Sequence, residues 1–144
     1  MPISEQHVGR RYPPTAPYEV SAAKIGEFAR ALGDDSSAYS GAAPIAPPTF
    51  VMVIAADAWS SLFDDAELEL ALRRVVHADQ RFDYVRPLRA GDRVSAVLSI
   101  DKVRVRGEVD IIGVSVQVAT VDGEPVCNAS STFYHSHEPA GAPA

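Results

Sequence analysis

The amino-acid sequence predicts an α+β fold in which an antiparallel sheet wraps around a long central helix. Three observations carry this reading. The stretch TFVMVIAADAWSSLF, residues 49–63, is apolar on most sides at helical spacing, and such a helix needs cover all round. From Val75 onward the pattern switches to period two, the mark of strands with one buried face. Asp122-Gly123 sits between two such runs and signals a hairpin. Curling the sheet around the helix is the simplest way to bury both. An up-and-down barrel would leave the helix without a place.

The elements follow in order. Tyr18-Glu19-Val20 is a short extended segment. Ser21 makes an N-cap, and Ile25, Phe28, Ala29 and Leu32 follow at i, i+3, i+4, i+7. Gly33 ends that helix, as glycine does just past a helix C-terminus. The second helix starts after Pro47-Pro48 and spans ~22 Å over about 15 residues. In Val75–Val85 one face reads Val76, Ala78, Gln80, Phe82, Tyr84, and the other His77, Asp79, Arg81, Asp83. Pro87 to Asp92 is a turn, after which Val94, Ala96, Leu98 and Ile100 alternate with smaller or polar residues. A turn at Arg106-Gly107 leads to Ile112, Val114, Val116 and Val118. The last strand sets Cys127, Ala129, Ser131 and Phe133 on one face.

The chain has 144 residues, 47% hydrophobic and 22% charged, which reads as a single domain over 1–144 with flexible ends at about 1–7 and 138–144. A domain of that size buries roughly two-thirds of its unfolded surface without a metal or disulfide. The net charge of −6 leaves no global footprint for nucleic acid or an anionic membrane. Cys127 is the single cysteine, which excludes an internal disulfide and every multi-cysteine metal motif. No apolar run has signal-peptide or membrane-spanning length, so the cytoplasm is the expected location.

The stretches VGRRYPPTAPYEV, KIGEFARALGDD, PIAPPTFV and HADQRFDYVRPLRAGDRV, with the final strands, resemble the MaoC-like (3R)-hydroxyacyl dehydratases and hydratases. The resemblance runs from about Val8 to Tyr134 and is nearest to the accessory-subunit branch, the FAS1-like dehydratase domain. It implies a hot-dog fold, homodimeric or heterodimeric pairing, and acyl thioesters of CoA or acyl carrier protein as ligands, with no cofactor. The catalytic branch of that family carries Gly-Asp-x-Asn-Pro-x-His and then Ala-His-Gly-Met at the mouth of the central helix. Here Gly33 and Asp34 match the Gly-Asp, Ser36 and Ser37 replace Asn-Pro, and Tyr39 replaces the histidine. Pro47 and Pro48 stand in place of His-Gly.

Reversible loss of water from a 3-hydroxyacyl thioester needs a base, an acid and donors for an enolate-like oxygen. Histidine suits the base role because it titrates near neutrality, whereas a tyrosine phenol titrates near 10. Tyr39 would need a downward shift of about three units, and SSAYSG offers no cation to cause one. A helix N-terminus can hold an anion through its free N–H groups, but proline has none. Pro48 therefore deletes a donor by covalent structure, and loss of one such donor typically costs ~10²–10³ in rate. The N–H groups of Thr49 and Phe50 remain.

Other residues each carry two readings. Asp34 is a catalytic candidate, set against its ordinary role in a turn after a helix-ending glycine. His77 and Asp79 fall on the charged strand face and read as solvated; Gln80 falls among apolar positions, where its amide must find a partner. His135 and His137 are too few for a closed metal site and read as tail. Arg73, Arg74, Arg104 and Arg106 could attract a phosphate or an acidic carrier protein, or simply face solvent.

The expected function is that of a non-catalytic, acyl-binding subunit of a (3R)-hydroxyacyl-ACP or -CoA dehydratase in fatty-acid-type lipid metabolism. A MaoC-like partner would supply the catalytic Asp and His. Tyr39, Thr49, Phe50, Val53 and Gln80 are the expected acyl contacts. Two alternatives stand beside it: a self-sufficient homodimeric hydratase using Asp34 with Tyr39, or a thioesterase using Asp34 or Asp79; and a non-enzymatic scaffold or regulatory homodimer.

Overall fold

The computed structural model describes residues 2–137. Its elements are β1 (Tyr18–Glu19), α1 (Ala22–Leu32), α2 (Val51–Phe63), β2 (Val75–Tyr84), β3 (Arg93–Arg106), β4 (Val109–Thr120) and β5 (Pro125–Ser136). Short 3₁₀ turns link them. The expected caps are present: Ser21 Oγ accepts the N–H of Lys24 at 3.1 Å, and Gly33 closes α1 at φ 71°, a left-handed geometry that glycine adopts without steric cost.

The five strands form one antiparallel sheet in the order β1-β3-β4-β5-β2. The strand that follows α2 does not pair with its successor. Instead β2 lies beside β5 at one edge, and the chain crosses the whole sheet to start β3. The inner face carries Val94, Ala96, Leu98, Ile100 and Val103 from β3, and Ile112, Val114, Val116 and Val118 from β4, all buried. Cys127, Ala129 and Phe133 continue it on β5. Against this face lies α2, burying Val51, Ile54, Ala55, Ala58 and Leu62. The hot-dog architecture anticipated from the sequence is the one observed.

Two features depart from the sequence reading. The first is the register of β2. The strand has a bulge between His77 and Asp79, so that His77 pairs with Phe133 while Asp79 pairs with Thr132. One extra residue flips the side-chain alternation. His77 therefore shares the inner face with Gln80, not the outer face with Asp79. Its ring packs on Trp59 at 5.1 Å and Phe133 at 5.6 Å between centroids.

The second is the N-terminal end, expected to be flexible over about residues 1–7. Ile3 and His7 instead anchor this segment to the body of the protein. Ile3 is buried and donates its N–H to Leu68 O at 3.1 Å, and His7 is buried in the 3₁₀ turn Glu5–His7. The chain then runs along the free edge of β3, with the N–H groups of Gly9, Tyr12 and Thr15 reaching the carbonyls of Ile100, Leu98 and Ala96. Arg10 and the Tyr12 hydroxyl both bind Asp65 Oδ2, at 2.8 and 2.6 Å. The Tyr12 hydroxyl, with Arg10 behind it, holds the Asp65 carboxyl below the usual range. The apolar Ile3 and this polar clip explain the packing; an isolated run of polar residues in sequence does not announce either. The other expected flexible end, 138–144, lies outside the described residues.

Packing of Ile3 makes a direct test. Ile3→Ala should lower stability by about 2 kcal/mol in urea unfolding, where a flexible end would show no change.

Candidate functional site

The entrance of α2 is poor in free amides: over residues 47–50 it leaves the N–H of Thr49 alone without a backbone acceptor. Pro47 and Pro48 bring no N–H, and the N–H of Phe50, expected from the sequence to remain available, is donated to Pro47 O at 2.9 Å. The Pro48 carbonyl accepts the hydroxyl of Tyr84 from the end of β2. Burial, with the Cys127 sulfur nearby, raises the Tyr84 phenol above its ordinary value, so this hydroxyl stays protonated and keeps donating. The facing wall is the loop after α1. There Ser36 Oγ accepts the N–H of Ala38 at 3.3 Å, and Ile45 donates to Ala38 O at 3.0 Å. Between the two walls opens a cleft of about 390 Å³, lined chiefly by Ala38, Tyr39, Ile45, Pro48, Tyr84 and Arg86. Apolar clefts of this size suit a small hydrophobic ligand.

Arg86 is the cleft's cation, and it is fully committed. Its Nε reaches Glu124 Oε1 at 2.7 Å; Nη1 reaches Asp92 Oδ2 at 2.8 Å and Pro87 O at 2.9 Å; Nη2 reaches Asp92 Oδ1 at 3.1 Å and Glu124 Oε2 at 3.5 Å. A guanidinium has five N–H donors, and all are used. Arg86 therefore ties the end of β2 to the turn before β3 and to the β4–β5 hairpin. It is a clamp rather than a ligand arm. Burial alone would raise the Asp92 carboxyl, but the Arg86 guanidinium and the N–H of Arg89 outweigh it and hold Asp92 below the usual range.

The expected site residues are dispersed. Tyr39 is half-buried in the cleft wall. Thr49 is exposed beside the cleft's Pro48. Phe50 is fully buried and turned into the core, its ring edge-on to Phe28 at 5.3 Å and Tyr18 at 6.4 Å. Val53 is half-buried on α2. Gln80 finds the partners its position demanded: its Oε1 accepts the Ser131 hydroxyl at 2.6 Å and lies 3.1 Å from His77 Nε2. Asp34 is exposed and accepts the N–H of Ser36 at 3.1 Å, a turn geometry. It shares a shallow hollow of about 160 Å³ with Tyr39, which also lines the main cleft. Asp79 is exposed on the outer face.

Sequence reasoning passed over Tyr84, Ile45 and Arg86. Tyr84 was legible as the last inward residue of β2, which must sit beside the helix start if helix and strand run antiparallel. It also passed over the burial of His135, read as tail. His135 lies on β5 in phase with Ser131 and Phe133, and it meets the buried Asp110 of β4. Extending the period-two pattern by one more residue finds it. Cys127 is buried, and burial pushes its thiol up to about 11, so it is no nucleophile at neutral pH. Among the described residues, no group of three or more His, Cys, Asp or Glu side chains is arranged to hold a metal ion. Among them, too, no helix is long and apolar enough to cross a membrane.

The sequence profile of the FAS1-like dehydratase domain region matches residues 6–129. The chain belongs to this dehydratase family. A UPF0336 protein of Cutibacterium acnes is 53% identical over 142 residues, covering 99% of this chain and 100% of that one. The structure of a C-terminally truncated HadBC complex of Mycobacterium tuberculosis, a (3R)-hydroxyacyl-ACP dehydratase, is 29% identical with a TM-score of 0.76 over 89% of this chain and 96% of its own. The ChsH1–ChsH2 complex of the same species matches at a TM-score of 0.63 and 20% identity, over 90% and 91% of the two chains; that likeness is one of fold. Family members are hot-dog dehydratases and hydratases, and both of these structures are complexes of unlike chains.

The Arg86 clamp sets an acid limb on stability. A carboxyl held low in the folded state stabilises it above the unfolded value, near 3.9, and loses that contribution as pH falls through the folded value. Asp92→Asn should lower the urea midpoint at neutral pH and make its decline below about pH 4 shallower than in the wild type.

Proposed function

We propose that this chain is an acyl-binding subunit of a (3R)-hydroxyacyl thioester dehydratase whose catalytic groups come from a second, MaoC-like chain. The observation that carries this reading is the helix mouth. Two prolines occupy the place where N–H donors would face a developing oxyanion, the amide of Phe50 is spent on Pro47 O so that the N–H of Thr49 alone is left there, and Tyr84 caps the Pro48 carbonyl. One backbone N–H is a weaker oxyanion site than the paired donors that this chemistry uses. The cleft's titratable side chains are two phenols and a fully paired guanidinium, and none is a general base near neutral pH. What remains is an apolar cleft shaped for a hydrocarbon segment, with Tyr39, Ile45 and Tyr84 as its contacts.

The partner would meet the chain at β2. This edge strand is unpaired on its outer side among the described residues, and it exposes Val76 and Val85 with Asp79, Arg81 and Asp83 between them. A free edge of ten residues is a ready template for a second sheet. The heteromeric relatives support a pairing of unlike chains.

Hydration of crotonyl-CoA, followed by loss of enoyl absorbance, tests the reading. The purified chain should be inactive alone and should support turnover when mixed with a MaoC-like chain encoded beside it. Ile45→Trp, which fills the cleft, should lower the activity of the mixture at least about tenfold while the unfolding midpoint stays near that of the wild type. Robust turnover by the chain alone, abolished by Asp34→Asn, would overturn the subunit reading and favour the self-sufficient enzyme.

A further inference from the structure

His77 lies outside the cleft of this chain, yet its ring is held in place. The bulge of β2 turns it to the inner face, where it packs edge-on against Trp59 at an interplanar angle of 82° and tilted against Phe133. The side chain is still exposed, because β2 has no neighbour on its outer side among the described residues.

Hydrogen bonds set its tautomer. Gln80 Nε2 donates to Arg81 O at 3.3 Å, which leaves Oε1 as the end of the amide that meets Ser131 and His77. Ser131 is buried and donates its hydroxyl to that oxygen at 2.6 Å, so the amide is anchored in the core. An amide oxygen only accepts, and it lies 3.1 Å from His77 Nε2. The His77 proton therefore sits on Nε2. In the neutral imidazole Nδ1 is then a bare acceptor, and it has no hydrogen-bond partner among the described residues.

That acceptor cannot serve the cleft of its own chain. Tyr84 marks the cleft at the end of β2 and His77 lies near the start, roughly 20 Å away along the strand. The pairing at β2 changes this. Two chains of like fold that join edge to edge about a twofold axis run their edge strands antiparallel. The start of β2 then lies beside the end of the partner's edge strand. In this fold that end abuts the mouth of the central helix, as the Tyr84 hydroxyl meets the Pro48 carbonyl here. A sheet continued across the edge keeps both inner faces on one side, so His77 is brought to the helix mouth of the second chain.

We infer that His77 is the residue this chain lends to its partner's cleft, where Nδ1 accepts a hydrogen bond from the 3-hydroxyl of the bound acyl thioester. It determines specificity and moves no proton. A saturated acyl thioester has no donor at that carbon and leaves the acceptor unpaired. The inference rests on the subunit reading above, since the cleft concerned belongs to the second chain.

The complex of the full chain with the MaoC-like chain encoded beside it provides the test. In the crotonyl-CoA assay, 3-hydroxybutyryl-CoA and butyryl-CoA are compared as inhibitors at mildly alkaline pH. His77→Phe keeps an aromatic ring against Trp59 and Phe133 but removes the acceptor. It should weaken inhibition by 3-hydroxybutyryl-CoA about tenfold, the value of one hydrogen bond, and leave inhibition by butyryl-CoA unchanged. A merely structural role would weaken both alike. Modification of wild-type His77 by diethyl pyrocarbonate, read by mass spectrometry, gives a second measure. It should be slower in the complex than in the isolated chain, and slower again with 3-hydroxybutyryl-CoA but not with butyryl-CoA. Turnover with unaltered inhibition in His77→Phe, or with His77 as reactive in the complex as in the isolated chain, would overturn the inference and leave the subunit reading standing. No turnover on mixing would overturn the subunit reading and the inference with it. The labelling decides the matter even if the variant fails to fold.

Discussion

The constraint on which the structure depends is the burial of α2. A helix carrying Val51, Ile54, Ala55, Ala58 and Leu62 on its inner sides, with Met52, Trp59 and Phe63 packed beside them, has only the strip of Ala56, Asp57 and Ser60 to give to water. A flat sheet covers one side of a helix. A sheet that curls can cover more, and this one does so with β3, β4 and β5 each in contact with α2. Once the sheet has wrapped, the strand that leaves α2 is laid at the far edge, beside β5. The chain must then return across the sheet to begin β3.

That return explains the cleft. The segment Val85–Asp92 runs over the end of the sheet, and it needs something to hold it there. Arg86 supplies this by joining Asp92 and Glu124 with the whole of its donor set. Backbone bonds finish the work: Ala46 donates to Leu88 O, Gly91 to Val20 O, and Val20 to Asp92 O. The loop Ala38–Ala46 is thereby set opposite Tyr84 and Pro48 with a gap between. The ion pairs that shape the cleft are thus unavailable to a ligand inside it, which leaves hydrophobic contact as the means of binding.

The sequence disclosed the parts of this arrangement that depend on local rules. Ser21 and Gly33 bound α1 as caps do, the double proline opens α2, and alternation marks β3 up to Ile100 and most of β4 and β5. It did not disclose what depends on a single inserted residue or on distant partners. The bulge at Ala78 is invisible to a periodic pattern because the pattern simply continues with its phase reversed, and His77 was assigned to the wrong face for that reason. Phe50 is an expected acyl contact at the helix mouth, yet the 3₁₀ turn Pro48–Phe50 sets it against Phe28 and Tyr18. His135 reads as tail in the sequence because β5 runs to Ser136, farther than the apolar pattern alone suggests. Ile3 packs through a carbonyl of Leu68, a contact across 65 positions that no local signal encodes.

The helix mouth shows how a fold can outlast a catalytic role within it. Proline is well suited to the first turn of a helix, where its missing N–H has no intrahelical partner and its fixed φ matches the helix. Pro48 at this position therefore favours the start of the turn while it removes the donor that oxyanion chemistry would require. Tyr84 adds to the same end, because its hydroxyl satisfies the Pro48 carbonyl and pins β2 to α2. Stability and catalysis make opposite demands on these atoms: one requires every polar group at the mouth to be paired, the other requires donors left open for a transient charge. Here the carbonyls of Pro47 and Pro48 and the amide of Phe50 are paired, and the N–H of Thr49 is what remains. A mouth settled in this way fits a chain that contributes shape and an acyl surface while a neighbouring chain carries the charge.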